Sequence, residues 1–152
     1  MTKYAKLYYQ SVVFSNDMKH IHTHAIGNKF DRLHNISNEY YEKASEDSDL
    51  FVELALEFGE KVRNPSDAAS IINYDFTDAD SYDWDDGIQQ IMARMEAYIA
   101  AMEELRKSNI PADVQSLLDD IIRYWKTENR YKNAASTKEG SQWVSTNARI
   151  PR

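Results

Sequence analysis

Between Asp85 and Lys107, Ile88, Ile91, Met95, Tyr98, Met102 and Leu105 recur at alternating steps of three and four residues. That period matches an α-helix with one apolar stripe and cannot serve a strand, whose faces alternate every second residue. Three more segments repeat it. From Lys3 to Ile26 the stripe is Leu7, Phe14, Met18, Ile21 and Ala25. From Lys29 to Phe58 it is Phe30, Leu33, Tyr40, Tyr41, Leu50, Leu54 and Phe58. From Ala112 to Ala134 it is Val114, Leu117, Leu118, Ile121, Trp125 and Tyr131. Only four glycines and three prolines interrupt 152 residues, so little breaks these helices. Four long amphipathic helices in a chain with room for one core predict an all-α fold, a four-helix bundle.

The punctuation agrees. Gly27 separates the first two helices, Gly59 closes the second, and Pro111 suits the first turn of the fourth. Between the second and third helices lies a long connection, Asn64–Trp84, in which "SDAASIINYDF" predicts a short helix capped by Ser66. A crossover this long lets the third helix run parallel to the second. Residues 1–135 then form the bundle, and 136–152, "STKEGSQWVSTNARIPR", lack periodicity and are expected to form an extended tail.

Composition narrows the setting. The chain has no cysteine, which excludes disulfides and thiolate metal sites and fits a cytoplasmic protein. It shows neither the apolar run of a signal peptide nor a membrane-length segment. A net charge of -7 argues against coating nucleic acid, which needs clustered Lys and Arg.

The chemistry-bearing stretch is "KHIHTHAIGNK", Lys19–Lys29, with three histidines on alternate positions and His34 soon after. At about 100° per residue, His20 and His24 lie about 40° apart, while His22 points about 160° from either. These three therefore cannot share one metal on a regular helix. His22 falls beside the buried stripe; His20 and His24 face elsewhere, as solvated or interface residues. Farther on, His34, Asn38, Asp49 and Glu53 all fall within an arc of about 100° on one helix. Asn38 and Asp49, the nearest members of the two pairs, are about 16 Å apart along the axis. One metal cannot reach both pairs. Antiparallel packing of two copies about a two-fold axis would lay one copy's His34 and Asn38 against the other's Asp49 and Glu53, and such self-complementary contacts are common.

The run His22-Thr-His-Ala-Ile-Gly27-Asn-Lys-Phe30-Asp-Arg-Leu-His34, followed by Asn38, Asp49 and Glu53, resembles the Dps family of miniferritins over about residues 5–135. The family pattern is His, Gly five later, Phe three after that, a second His twelve from the first, then Asp, Asp and Glu. The resemblance implies a ferritin-like bundle in a homo-oligomeric, twelve-subunit shell that oxidises Fe(II) with peroxide or oxygen and stores ferric iron. It implies His22, His34, Asp49 and Glu53 as iron ligands that carry the oxidation, with Asn38 a weak fifth. The sequence departs from the family at two places. Asn38 stands where the family has aspartate and can offer only a carbonyl oxygen. Thr23 stands where Trp is common. Glu42, one turn beyond Asn38, could compensate for the lost anion; alternatively, Asn38 marks a structural or interaction shell with weakened oxidation.

Other features have simpler readings. "DFTDADSYDWDD" lacks the glycine and final glutamate of a calcium loop and is expected to cap the third helix. Asp113, Asp119 and Asp120 resemble the acidic pore lining of the family, and a solvated face explains them as well. Tyr40 and Tyr41 fit core packing better than electron donation. A single-chain di-iron enzyme would use Glu-x-x-His on two helices, and only Asp17-x-x-His20 and Asp31-x-x-His34 approach that. Too few lysines cluster at either end for strong DNA binding.

Overall fold

The computed structural model describes residues 2–138. Its helices are α1 (Lys3–Thr23), α2 (Phe30–Glu57), a short α3 (Ala68–Ile71), α4 (Trp84–Lys107), α5 (Ala112–Lys126) and a last turn, α6 (Ala134–Ser136). α5 and α6 are joined by a π-helical stretch, Thr127–Asn133. No helix among the described residues is long and apolar enough to cross a membrane. Residues 139–152, most of the expected tail, lie outside the described residues.

Cross-contacts give the helix directions. Ser11 and Ser48 hydroxyls meet at 2.8 Å, while the His22 and His34 rings meet at 3.8 Å, so α1 and α2 are antiparallel. Leu33 lies against Gly87, and Tyr98 donates to Asp47 at 2.9 Å. Positions rise together along α2 and α4, so these two helices run parallel, as the crossover length implies. Arg106 pairs with Asp119 and Glu103 with Lys126, which makes α5 antiparallel to α4.

The stripes fill the core. Leu7, Phe14, Met18, Ile21, Leu33, Ile91, Met95, Met102 and Trp125 are all buried. Each large apolar side chain buried this way contributes about 1.5–3 kcal/mol. Phe30, Leu50, Phe58 and Tyr131 belong to the sequence stripes yet are exposed. Phe58 covers itself by stacking on Tyr4, ring centroids 4.9 Å apart.

The ends of α1 and α2 are locked together. Gly59, at φ +73°, takes the left-handed conformation that closes α2, with Glu60 N–H reaching Ala55 O at 2.8 Å and Gly59 N–H reaching Leu56 O at 3.1 Å. That turn delivers Glu60 to the N-terminus of α1, where its carboxylate accepts from the backbone N–H groups of Tyr4 and Ala5. Thr2, the N-cap residue, makes no side-chain cap of its own.

Three expected boundaries shift. α1 stops at Thr23 rather than Ile26, because Ala25 pairs with Tyr82 of the crossover in an isolated parallel bridge. The crossover cap is Asn64, whose side chain accepts from Ser66 N–H at 2.9 Å; Ser66 itself is not the cap. Pro111 occupies the N-cap position of α5, one residue before its first turn. Asp83 caps α4 by accepting from Asp86 N–H at 2.9 Å, as expected of that acidic run.

Candidate metal centre

His22 ends α1 on its inner side and His34 opens α2. The turn between them, with Gly27 at φ +93°, folds one helix back on the other. The imidazoles stack at 3.8 Å with 24° between their planes. Each ring reaches the other residue's backbone: His22 Nδ1 lies 2.7 Å from His34 O, and His34 Nδ1 lies 3.0 Å from His22 O. A carbonyl oxygen only accepts, so each Nδ1 carries the proton and donates it. In the neutral rings the tautomer follows, with Nε2 of each keeping its lone pair. This is how a metal-ligating histidine is commonly oriented, with its second nitrogen tied to a backbone oxygen. Phe30 stacks on the outer face of His34 at 4.9 Å and limits its rotation. Both histidines are half-buried.

One turn beyond His34, Asn38 donates from Nδ2 to Glu42 Oε1 at 2.9 Å. That bond aligns the amide and leaves its carbonyl oxygen for another partner. Asp49 and Glu53 are exposed near the far end of α2, and among the described residues neither enters an ion pair. α2 is one uninterrupted helix from Phe30 to Glu57, so along its axis the acid pair stays about 22 Å or more from His34. The fold therefore brings His22 and His34 together, sets Asn38 beside them, and does not bring Asp49 and Glu53 to them. Among the described residues no three His, Asp or Glu side chains converge on one point.

His20 and His24 also stack, at 4.0 Å. They are structural: His20 Nε2 lies 2.9 Å from Ala79 O, which ties the crossover to the end of α1, and His24 Nδ1 lies 2.8 Å from His20 O within that helix end. Asp17, the acid of one Asp-x-x-His match, is buried and paired with Arg94 at 3.2 Å. Asp119 is neutralised by Arg106 at 2.8 Å, which weakens any acidic pore built on it.

Sequence reasoning missed the buried polar groups. Asp47 Oδ2 accepts from Trp125 Nε1 at 2.7 Å and from Tyr98 OH at 2.9 Å, while Lys43 Nζ holds Oδ1 at 2.7 Å. Tyr40 OH reaches Glu128 Oε1 at 3.1 Å and Asn133 Oδ1 at 3.0 Å. Burial pushes the carboxyls of Asp17 and Asp47 above the usual range despite the donors around them. The signal was present: Tyr40, Ala44, Asp47, Phe51 and Leu54 follow steps of four and three, with a carboxylate inside the stripe. Asp17 likewise sits three after Phe14 and four before Ile21.

Neither a protein-family model nor a curated protein matches the chain.

Proposed function

We propose that two copies of this chain pair about a two-fold axis to form a Dps-like, ferritin-like iron-oxidising unit. His22 and His34 of one copy bind Fe(II) together with Asp49 and Glu53 of the other. Peroxide or oxygen then takes electrons from the bound iron, and the ferric product is stored inside a larger, twelve-subunit shell. The observation that carries this reading is the reciprocal tie between His22 and His34. In the neutral rings it commits both Nδ1 protons to backbone oxygens and leaves each Nε2 free to serve as a donor atom. Imidazole and carboxylate are donors suited to iron, and two histidines alone leave coordination positions for acids and oxidant.

Two further facts support pairing. The rigid α2 separates the histidines from the acids by a length only another molecule can bridge. Leu56, 61% accessible, falls within about 20° of Asp49 around that same helix. An exposed apolar side chain beside the acid pair suits a subunit contact.

The decisive experiment mixes chains. His22→Ala and Glu53→Ala each abolish rapid Fe(II) oxidation when purified alone. Refolded together from denaturant, they regain part of it, because a mixed pair contains one intact site. Loss in both single variants without recovery in the mixture would refute a shared site. A second reading is a shell or interaction protein without oxidation, in which Asn38, engaged by Glu42, marks a weakened site. Assembled wild-type protein that oxidises Fe(II) no faster than His22→Ala would favour it.

A further inference from the structure

Between α1, α4 and the segment from Ile71 to Tyr74 lies a cavity of about 540 Å³ that plays no part in the metal site. Its walls are apolar: Val13 and Phe14 from α1, Ile71 and Ile72 from α3 and its cap, and Tyr98 from α4. The volume lies within the range of pockets that enclose small organic ligands. Its polar lining is one-sided. Lys6 and Arg94 contribute cations, Gln10 and Asn73 contribute amides, and no acidic side chain is among the lining residues.

The roof is built in place. Asn73, at φ +52°, closes α3 in the left-handed conformation, with Tyr74 N–H bonded to Ala69 O at 2.9 Å. That turn carries the Tyr74 ring to 5.4 Å from the Arg94 guanidinium carbon. Arg94 is held by its Nη1, which donates to Tyr74 OH at 2.9 Å, to Asp17 at 3.2 Å and to Asp75 O at 2.5 Å. A guanidinium has five N–H donors, and those on Nη2 have no protein acceptor among the described residues. Asp17 offsets part of the Arg94 charge, but its own oxygens are taken by Tyr74, Arg94 and Thr77 N–H. Lys6, exposed at the mouth, enters no ion pair among the described residues and supplies the uncompensated charge.

We propose that this cavity between α1, α4 and the α3 connection binds a small amphipathic carboxylate. Its apolar body lies between Phe14, Ile72 and Tyr98, with its anion toward Arg94 and Lys6. Apolar walls favour any greasy molecule, and Lys6 together with Arg94, whose charge Asp17 offsets only in part, selects the anion among them.

Calorimetric titration of the whole protein with decanoate, and separately with decanol, tests this. Decanoate binds saturably, one per chain, and decanol binds at least tenfold more weakly. Ala97→Phe, at an exposed lining position of α4, fills the space and removes binding while thermal unfolding shows the fold retained. Lys6→Glu leaves the cavity open and weakens decanoate several-fold without affecting decanol. Equal binding of decanol and decanoate, binding unchanged by Ala97→Phe in a folded protein, or no saturable binding of decanoate would each overturn the proposal. None of these readouts depends on iron.

Discussion

Glu60 holds Ala5: its Oε1 accepts the Ala5 backbone N–H at 2.7 Å across 55 residues of sequence. The same carboxylate reaches Tyr4 N–H at 3.3 Å, so the start of α1 is capped by a residue three beyond the end of α2. A carboxylate here satisfies orphan N–H groups and complements the positive end of the helix. Glu60→Ala is expected to lower stability by about 1 kcal/mol, as the loss of a side-chain cap does elsewhere. Glu60→Gln, which keeps the acceptor and loses the charge, should fall between the two in urea unfolding. An alanine variant as stable as wild type would show that the cap is idle.

Gly87 allows a close approach of α4 to α2. A methyl group at that position would lie 2.5 Å from Leu33 Cδ2 and 2.7 Å from Cδ1, and Leu33 is fully buried. Alanine gains helix propensity of about 1 kcal/mol but forces a packed leucine to move, at a cost of about 1–3 kcal/mol. Gly87→Ala should therefore destabilise the protein modestly. In the Leu33→Ala background, where the obstruction is gone, the same change should stabilise it. Equal effects in both backgrounds would mean that the helices slide apart freely.

Much of this architecture can be read in the chain because periodicity reports burial directly. The α4 stripe from Ile88 to Leu105 is buried along its length. Ends are less legible where distant residues decide them: α1 stops early because Tyr82 captures Ala25, and nothing near Ala25 announces that. The π-helical stretch is hidden for the same reason. It carries Glu128, Asn129 and Asn133 inward, where Tyr40 of α2 meets Glu128 and Asn133. The closeness of His22 and His34 follows from the glycine turn between their helices. Their tautomers do not, since these depend on two carbonyls whose positions only the packed hairpin defines.

Asp47 gives the core a pH signature. Burial raises its carboxyl above the ordinary 3.8, against the pull of Lys43, Trp125 and Tyr98. A folded-state value above the unfolded one means that the folded protein keeps this proton to higher pH. Its contribution to stability is then greatest below the unfolded value and declines as pH rises from about 3.8 through the folded value. Asp47→Asn removes that titration. Relative to this variant, wild type should lose stability as pH rises across that window, measured by urea unfolding at a series of pH values. A difference that grows with pH would reverse the sign. Asp47→Ala, which strands the Trp125 and Tyr98 donors, should cost about 3 kcal/mol.

Asn38 offers the most direct test of the metal reading. It donates to Glu42 one turn away, so Asn38→Asp replaces an attractive contact with two facing carboxylates beside His34. Without a cation the variant should be slightly less stable, because like charges four residues apart on a helix repel. A divalent cation at the histidine pair would relieve that repulsion and gain an anionic ligand, and binding to the folded state alone raises the melting temperature. Manganese(II), which resists air oxidation, serves as the probe. Asn38→Asp should show a larger manganese-dependent rise in melting temperature than wild type, and the extra rise should vanish when His34→Ala is added. If manganese stabilises the two proteins equally, Asn38 does not border a cation site, and the shared-site proposal loses its support at that position.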